Sequence, residues 1–292
     1  MKKIKKYKSA FSLIELSIVI LIIGILVAGV TQSSRLVSEM RLATARQITK
    51  NSPVSSIKDL VVWYETSLDE SLIEAEESDG ALVSTWFDNN TQSPYKFNMS
   101  QSTVANQPTY SKNIINGLPS LKFDGTNDFL VTSGVGLNSK SLTAFIVGRR
   151  VNYATNFQVS LAGLALGQTD DTSSGSFVAF ADFGTSFNSG SSLQWFTNSI
   201  THQGNNSPYI LSTLFSGTAN TIFLNGVSST NYSINTNFTV DSLRVGCKYS
   251  NAPAYFFNGY ISEIIIYSRA LNTEERKSVE SYLAKKYSLK IS

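Results

Sequence analysis

From Leu16 to Val30 the chain is apolar at every position except Ser17, and polar residues take over at Thr31. A run of this kind approaches the ~20 residues that cross a bilayer as a helix. The helical period then continues through TQSSRLVSEMRLATARQITKN. There Leu36, Met40, Ala43, Gln47 and Ile48 recur at i, i+4 and i+7 spacing, which predicts that the helix continues. Pro53 ends the pattern, because proline has no N–H to continue a helix. One continuous helix from about Phe11 to Lys50 is therefore predicted, ~60 Å long at ~1.5 Å per residue.

Beyond Pro53 the pattern changes to short β-rich runs between Gly, Asn, Ser and Asp clusters. Among them are LPSLKF, SLTAFIVGRR, PYILSTLF, NTIFL, SLRVGCK and GYISEIIIYS. Regularly spaced runs of this kind predict antiparallel strands in a sandwich or barrel. Asn225-Gly226 is the strongest hairpin signal, since both central residues of a type I′ turn need positive φ. Asp124-Gly125 is expected to make a similar turn. A last helix is capped by Asn272 with Glu275 three residues on, and Val279, Tyr282, Leu283 and Tyr287 form its apolar stripe. The expected fold is mainly β: a long, membrane-inserted N-terminal α-helix, then a two-sheet antiparallel jelly-roll sandwich with a C-terminal helix.

Charge gives the first segment an orientation. Lys2, Lys3, Lys5, Lys6 and Lys8 precede the apolar run and no basic residue follows it closely, which places the start in the cytoplasm and the large remainder outside. Without those lysines the chain carries 19 basic and 21 acidic residues, so no basic field points to nucleic acid. Cys247 is the only cysteine and His202 the only histidine. That composition excludes an intrachain disulfide and a Cys/His zinc cluster. Cys247, inside a strand pattern, reads as a buried thiol.

One residue breaks the apolar start: Glu15. A carboxylate at membrane depth is costly unless a partner neutralises it. KSAFSLIEL followed by an apolar helix resembles the prepilin signature of type IV pilins and type II secretion pseudopilins. The resemblance implies cleavage by a prepilin peptidase between Ala10 and Phe11, with Phe11 as the N-methylated first residue of the mature chain. The family usually has glycine before the cut, where this chain has Ala10. Glu15 falls where the family keeps a glutamate, which implies an assembly role. There a neighbouring subunit's N-terminal ammonium makes the buried carboxylate far less costly.

A second resemblance covers roughly residues 57 to 290. LVVWYETS, VSTWFDNN, NQPTY, INGLPSLKFDGTNDFLVT and FNGYISEIIIYSRALNTEERKSVESYLAKKY, in that order, resemble blocks of laminin G-like domains of the concanavalin A-like lectin/glucanase superfamily. The organisation expected is a leader at 1–10, a transmembrane and stalk helix at 11–52 and a laminin G-like sandwich at 53–292. The function expected is that of a pilin-like or pseudopilin subunit of a type IV pilus or type II secretion system. Its sandwich would be displayed outside the cytoplasm for adhesion or for glycan or protein binding, from the bacterial inner membrane or, after assembly, from a pilus or the cell surface. The alternatives are a membrane-tethered binding module that never assembles and a surface glycan hydrolase.

Catalytic chemistry is sparse. Glycosidases need a carboxylate pair flanking the scissile bond. The acid-rich stretch ETSLDESLIEAEESDG, which begins at Glu65, reads instead as a solvated loop or short helix. His202 has no nucleophile motif beside it, and neither G-x-S-x-G nor a Walker A sequence occurs, so no enzyme activity is expected. Calcium is the ion that laminin G-like folds imply, and it takes oxygen ligands. Asp124, Asn127 and Asp128, and Asp88, Asn89 and Asn90, are the groupings of suitable oxygens, but neither is an EF-hand loop and Asp124-Gly125 reads first as a turn. Among aromatics, Trp63 and Trp86 read as core, while Trp195 and Tyr209 flank polar loops and are slightly better sugar-platform candidates, although core packing is the leading reading for them too.

Overall fold

The structure, a computed structural model, describes residues 13–139, 141–151, 161–167, 177–181, 184–189, 192–197, 206–217, 219–228, 232–233, 238–247 and 256–292. Helix α1 (Leu13–Lys50) comes first, and helix α2 (Thr273–Tyr287) closes the chain. Between them every described strand pair is antiparallel.

The larger sheet runs Val227–Ser228, Ala219–Leu224, Pro208–Ser216, Ser141–Arg150, Asn258–Tyr267, Leu118–Asp124 and Thr109–Ile115. Leu60–Glu65 also pairs with Asn258–Tyr267, and Tyr232–Ser233 with Ala219–Leu224. The smaller sheet runs Ser192–Thr197, Gly184–Ser189, Phe177–Ala181, Leu161–Gly167, Phe238–Val245, Leu130–Ser139, Met99–Ser100 and Thr85–Trp86. Two sheets exchanging strands in this way make the expected jelly-roll sandwich.

The helices add a third layer. On Ser141–Arg150, Leu142, Ala144 and Ile146 face the inter-sheet core with Trp86, Phe123, Leu243 and Val245. Phe145 and Val147 face the other way, where they meet Val279, Leu283, Tyr287 and Ala45. The period-2 alternation of a strand thus feeds two cores. The Asn272 side chain accepts from the Glu275 N–H at 2.9 Å, and the Glu275 carboxylate accepts from the Asn272 N–H at 3.0 Å. The anticipated capping box starts α2, and its stripe of Val279, Tyr282, Leu283 and Tyr287 is buried.

Two turn expectations part ways. Asn225 and Gly226 both have positive φ, 50° and 82°, and join Ala219–Leu224 to Val227–Ser228 as a hairpin. At the other turn only Gly125 has positive φ. Asp124 instead accepts from the Thr126 N–H at 2.7 Å, and the strands on either side belong to different sheets. This is an Asx-type corner carrying the chain across the sandwich, not a hairpin.

The predicted helix continues to Lys50, and its docked face is not the Leu36–Met40 face. Leu36 and Met40 are 56% and 61% exposed, whereas Ala45 and Thr49 are buried. The docked face is partly polar. Ser38 donates to the Asn113 side chain at 3.0 Å, and Arg46 donates to the Ser67 carbonyl at 2.7 Å and pairs with Asp69 at 2.5 Å. Apolar periodicity cannot locate such a face, because hydrogen bonds select it.

Along the first half of α1, the described apolar side chains from Leu13 to Val27 are each at least half exposed. The side chains of Glu15 and of residues 28–32 lie outside the described set. Among the described residues no helix is long and apolar enough to cross a membrane, so the described stretch does not by itself make the expected span.

Candidate functional site

The sequence-derived site residues begin the chain. Ala10 and Phe11 lie outside the described residues, and Glu15 lies on the first turn of α1. The structure therefore bears on them through the helix they lead into. That helix is free of the sandwich in its first half and fixed to it in its second.

The anchorage converges on a charge cluster. Leu60–Glu65 pairs with Asn258–Tyr267 so that Glu65 stands directly opposite Glu263, an arrangement that repels unless a cation intervenes. Lys286 of α2 supplies it, with Nζ 2.7 Å from Glu65 and 2.9 Å from Glu263, and all three side chains are fully buried. Glu65 also accepts from the Ser67 N–H at 2.8 Å, the Leu68 N–H at 2.5 Å, and the hydroxyls of Ser67 and Ser71, both at 2.5 Å. Glu263 accepts from Trp63 Nε1 and the Tyr282 hydroxyl at 2.8 Å, and from the Tyr287 hydroxyl at 2.9 Å. The Tyr282 hydroxyl is 3.4 Å from Thr49 Oγ1, so the cluster reaches the last turn of α1.

The electrostatics follow from these partners. Burial pushes the Glu65 carboxyl up, but the Lys286 charge and the hydrogen bonds from Lys286, Ser67 and Ser71 outweigh it and hold it below its ordinary range. Burial pulls Lys286 down, and the two carboxylates more than reverse that. Placing Glu65 in a solvated acidic stretch was therefore wrong: the stretch begins inside the core. Glu263 and Lys286 escaped the sequence reading, although both left signals. An acid interrupts the apolar run ISEIIIY, and Lys286 lies seven residues after Val279, on the apolar stripe itself. With no solvent access, the acid pair is built to hold strands and helix together, not to flank a sugar.

The other candidates resolve as follows. Asp88 Oδ1 accepts from the Trp63 and Asn90 N–H groups at 3.0 and 2.9 Å, and burial raises its carboxyl. Asp128 accepts from the Asp124 N–H at 2.9 Å, and burial lifts it to about 6. These oxygens serve backbone amides, and among the described residues no three acidic, histidine or cysteine side chains gather as for a metal. Trp63, Trp86, Tyr209 and Cys247 are buried. Tyr209 is core, in line with the leading reading of the sequence. Only the backbone of Trp195 is described, and His202 lies outside the described residues. Grooves flank the docked half of α1. One, of about 540 Å³, lies against Tyr110, Lys112 and Pro119. Another, of about 340 Å³, lies between α1 and α2.

Residues 5–31 match the family model described as the prokaryotic N-terminal methylation motif. No curated protein matches the sequence. Among solved structures, domain 4 of AbnA, an extracellular arabinanase from Geobacillus stearothermophilus in complex with arabinotriose, is similar in fold. The TM-score is 0.50 at 14% identity, over 76% of this chain and 97% of that one. Trypanosoma rangeli sialidase in complex with sialic acid is similar with a TM-score of 0.51 at 12% identity, over 78% of this chain. The likeness spans 33% of the sialidase's length. At such identities the likeness shows a jelly-roll fold and nothing of activity. A methylation motif at the N-terminus thus leads, through α1, into a two-sheet antiparallel β-sandwich.

Proposed function

We propose that this chain is a pilin-like or pseudopilin subunit of a type IV pilus or type II secretion system. Its α1 is anchored in the bacterial inner membrane and its sandwich is displayed outside the cytoplasm. The observation that carries the reading is continuity. The methylation motif at residues 5–31 runs directly into α1, whose first half exposes apolar side chains and whose second half is fastened to the sandwich. A subunit must have both, one part for lipid and neighbours and one part to transmit their hold to the displayed domain.

In this reading a prepilin peptidase cuts between Ala10 and Phe11, residues 11–52 form the anchor and stalk, and residues 53–292 form the display domain. Glu15 meets the methylated terminus of a neighbouring subunit. The membrane span includes Glu15 and the apolar run to Val30, and lipid solvates the side chains that are otherwise exposed. The sandwich binds a surface glycan or protein and has no catalytic role. Burial of Glu65 and Glu263 keeps that one acid pair from substrate.

Mass spectrometry of the native protein tests the reading. A chain beginning at N-methylated Phe11 is expected, and a chain retaining Met1 overturns it. Glu15→Ala is expected to leave insertion intact and to abolish co-assembly measured by cross-linking. The fold likeness to the arabinotriose-bound domain favours a second reading, a tethered glycan-binding module that never assembles. That reading gains if Glu15→Ala changes nothing while the sandwich still binds arabino-oligosaccharide.

A further inference from the structure

Lys286 has more partners than a salt bridge needs. One carboxylate balances one ammonium, yet Glu65 and Glu263 both touch its Nζ, at 2.7 and 2.9 Å, and all three side chains are fully buried. The cluster therefore holds one formal negative charge in excess, in surroundings where charge is costly.

The donors around Glu65 divide between its two oxygens. Oε1 accepts from the Leu68 N–H and the Ser71 hydroxyl, while Oε2 accepts from the Ser67 N–H, the Ser67 hydroxyl and Lys286. One oxygen sits in a two-donor pocket and the other faces the amine. Glu263 turns its Oε2 to the same nitrogen, with the Tyr287 hydroxyl donating to that oxygen at 2.9 Å. Trp63 and Tyr282 hold its Oε1. A nucleophile, a carbonyl carbon with donors where an oxyanion develops, and a base in contact with the nucleophile are the parts of an acyl transfer.

We propose that Lys286 Nζ and Glu65 Cδ join in an autocatalytic isopeptide bond, with Glu263 as the base. Glu263 takes a proton from the ammonium, and the freed amine attacks Glu65 Cδ. The Leu68 N–H and the Ser71 hydroxyl hold the oxyanion that forms on Oε1. Glu263 passes that proton, and then a second one from the nitrogen, to Oε2. The Cδ–Oε2 bond breaks and water leaves. Of the ammonium's three hydrogens one stays on the amide and two depart in the water, so Glu263 ends as the carboxylate it began as. No other reactant is consumed.

Two physical effects favour closure. Groups held in contact react as though at ~10⁵–10⁸ M. The amide also replaces two buried charges by a neutral group, which removes their desolvation cost. The ion pair is the precursor, and its response to pH belongs to the chain before closure. Once formed, the bond ties α2 to the strand Leu60–Glu65 across 221 positions of sequence, whether or not α1 enters a filament.

Intact-mass spectrometry of the full chain, purified in mild detergent and then denatured, reads the bond directly. Wild type is expected to be lighter by one water than Lys286→Gln, a variant of nearly equal residue mass. Its protease digest is expected to contain one branched peptide joining Glu65 to Lys286. Glu263→Gln keeps the Lys286–Glu65 contact but lacks the base, and is expected to fold by circular dichroism and to give Glu65 and Lys286 in separate peptides. Equal masses for wild type and Lys286→Gln overturn the proposal. So does a branch through Glu263, or a complete bond in Glu263→Gln. Where a variant fails to fold, the wild-type digest decides alone: separate peptides overturn the bond and a Glu65–Lys286 branch supports it.

Discussion

Lys286 is the residue on which the helix layer turns. Its ammonium stands between two carboxylates in register on neighbouring strands, with all three groups fully buried. Removing one partner of a buried ion pair typically costs about 3–5 kcal/mol, because charge is left without compensation. Lys286→Met is therefore expected to lower the urea-unfolding free energy by about that amount. Adding Glu65→Gln and Glu263→Gln to it is expected to restore part of the loss, since the orphaned charges are then gone. The pH dependence has a definite sign. Glu65 is held below the ordinary glutamate value of 4.5 in the folded chain. Its contribution to stability is therefore complete above that value and fades as pH falls through the lower folded one. Lys286 is held above 10.5, so its share persists up to that pH and is lost beyond it. Thermal melts across the acid range are expected to show destabilisation below pH 4.5 that is much reduced in the triple variant.

At the scale of elements, α2 states its own boundaries and α1 does not. The Asn272–Glu275 box starts α2, and the paired Arg269 guanidinium, at 2.7 Å from each Glu275 oxygen, draws that carboxyl down to about 2. Asn272→Ala is expected to cost about 1 kcal/mol, as caps generally do. Leu283→Ala, which empties a fully buried position, is expected to cost about 2–5 kcal/mol. Chemical denaturation of each variant checks both. These features were legible in the sequence because they are local: the cap and the 3.6-residue stripe lie within one short helix. The docked face of α1 was not legible, since Ser38, Arg46 and Thr49 are chosen by partners in Thr109–Ile115, in the chain just past Leu60–Glu65, and in α2. The Asp124-Gly125 corner was misread for a related reason. The dipeptide signals a turn, but which sheet the next strand joins depends on pairings more than a hundred residues away.

For the molecule as a whole, the sandwich and the stalk depend on each other. Ala45 and Ile48 cover part of the outer core, and Arg46 holds the chain around Ser67 and Asp69. A chain beginning at Pro53 uncovers that surface, so it is expected to unfold at a lower urea midpoint than the full chain in mild detergent. Equal midpoints would show that α1 adds nothing to the sandwich. The same coupling lets tension on the helix reach the charge cluster through Thr49 and Tyr282, and from there the two strands beneath.

The sequence by itself determined what short range encodes: an N-terminal methylation motif, an apolar helix behind it, antiparallel strands with an Asn225-Gly226 hairpin, and a capped final helix. Each of these is written in residues a few positions apart, where propensity and periodicity act. Only the tertiary structure decided that Glu65 is buried and not solvated, that Glu263 and Lys286 join it, and that α1 turns a polar face to the sandwich. Those outcomes depend on desolvation and on partners distant along the chain, and the energy of a charge or a hydroxyl is set by what surrounds it after folding.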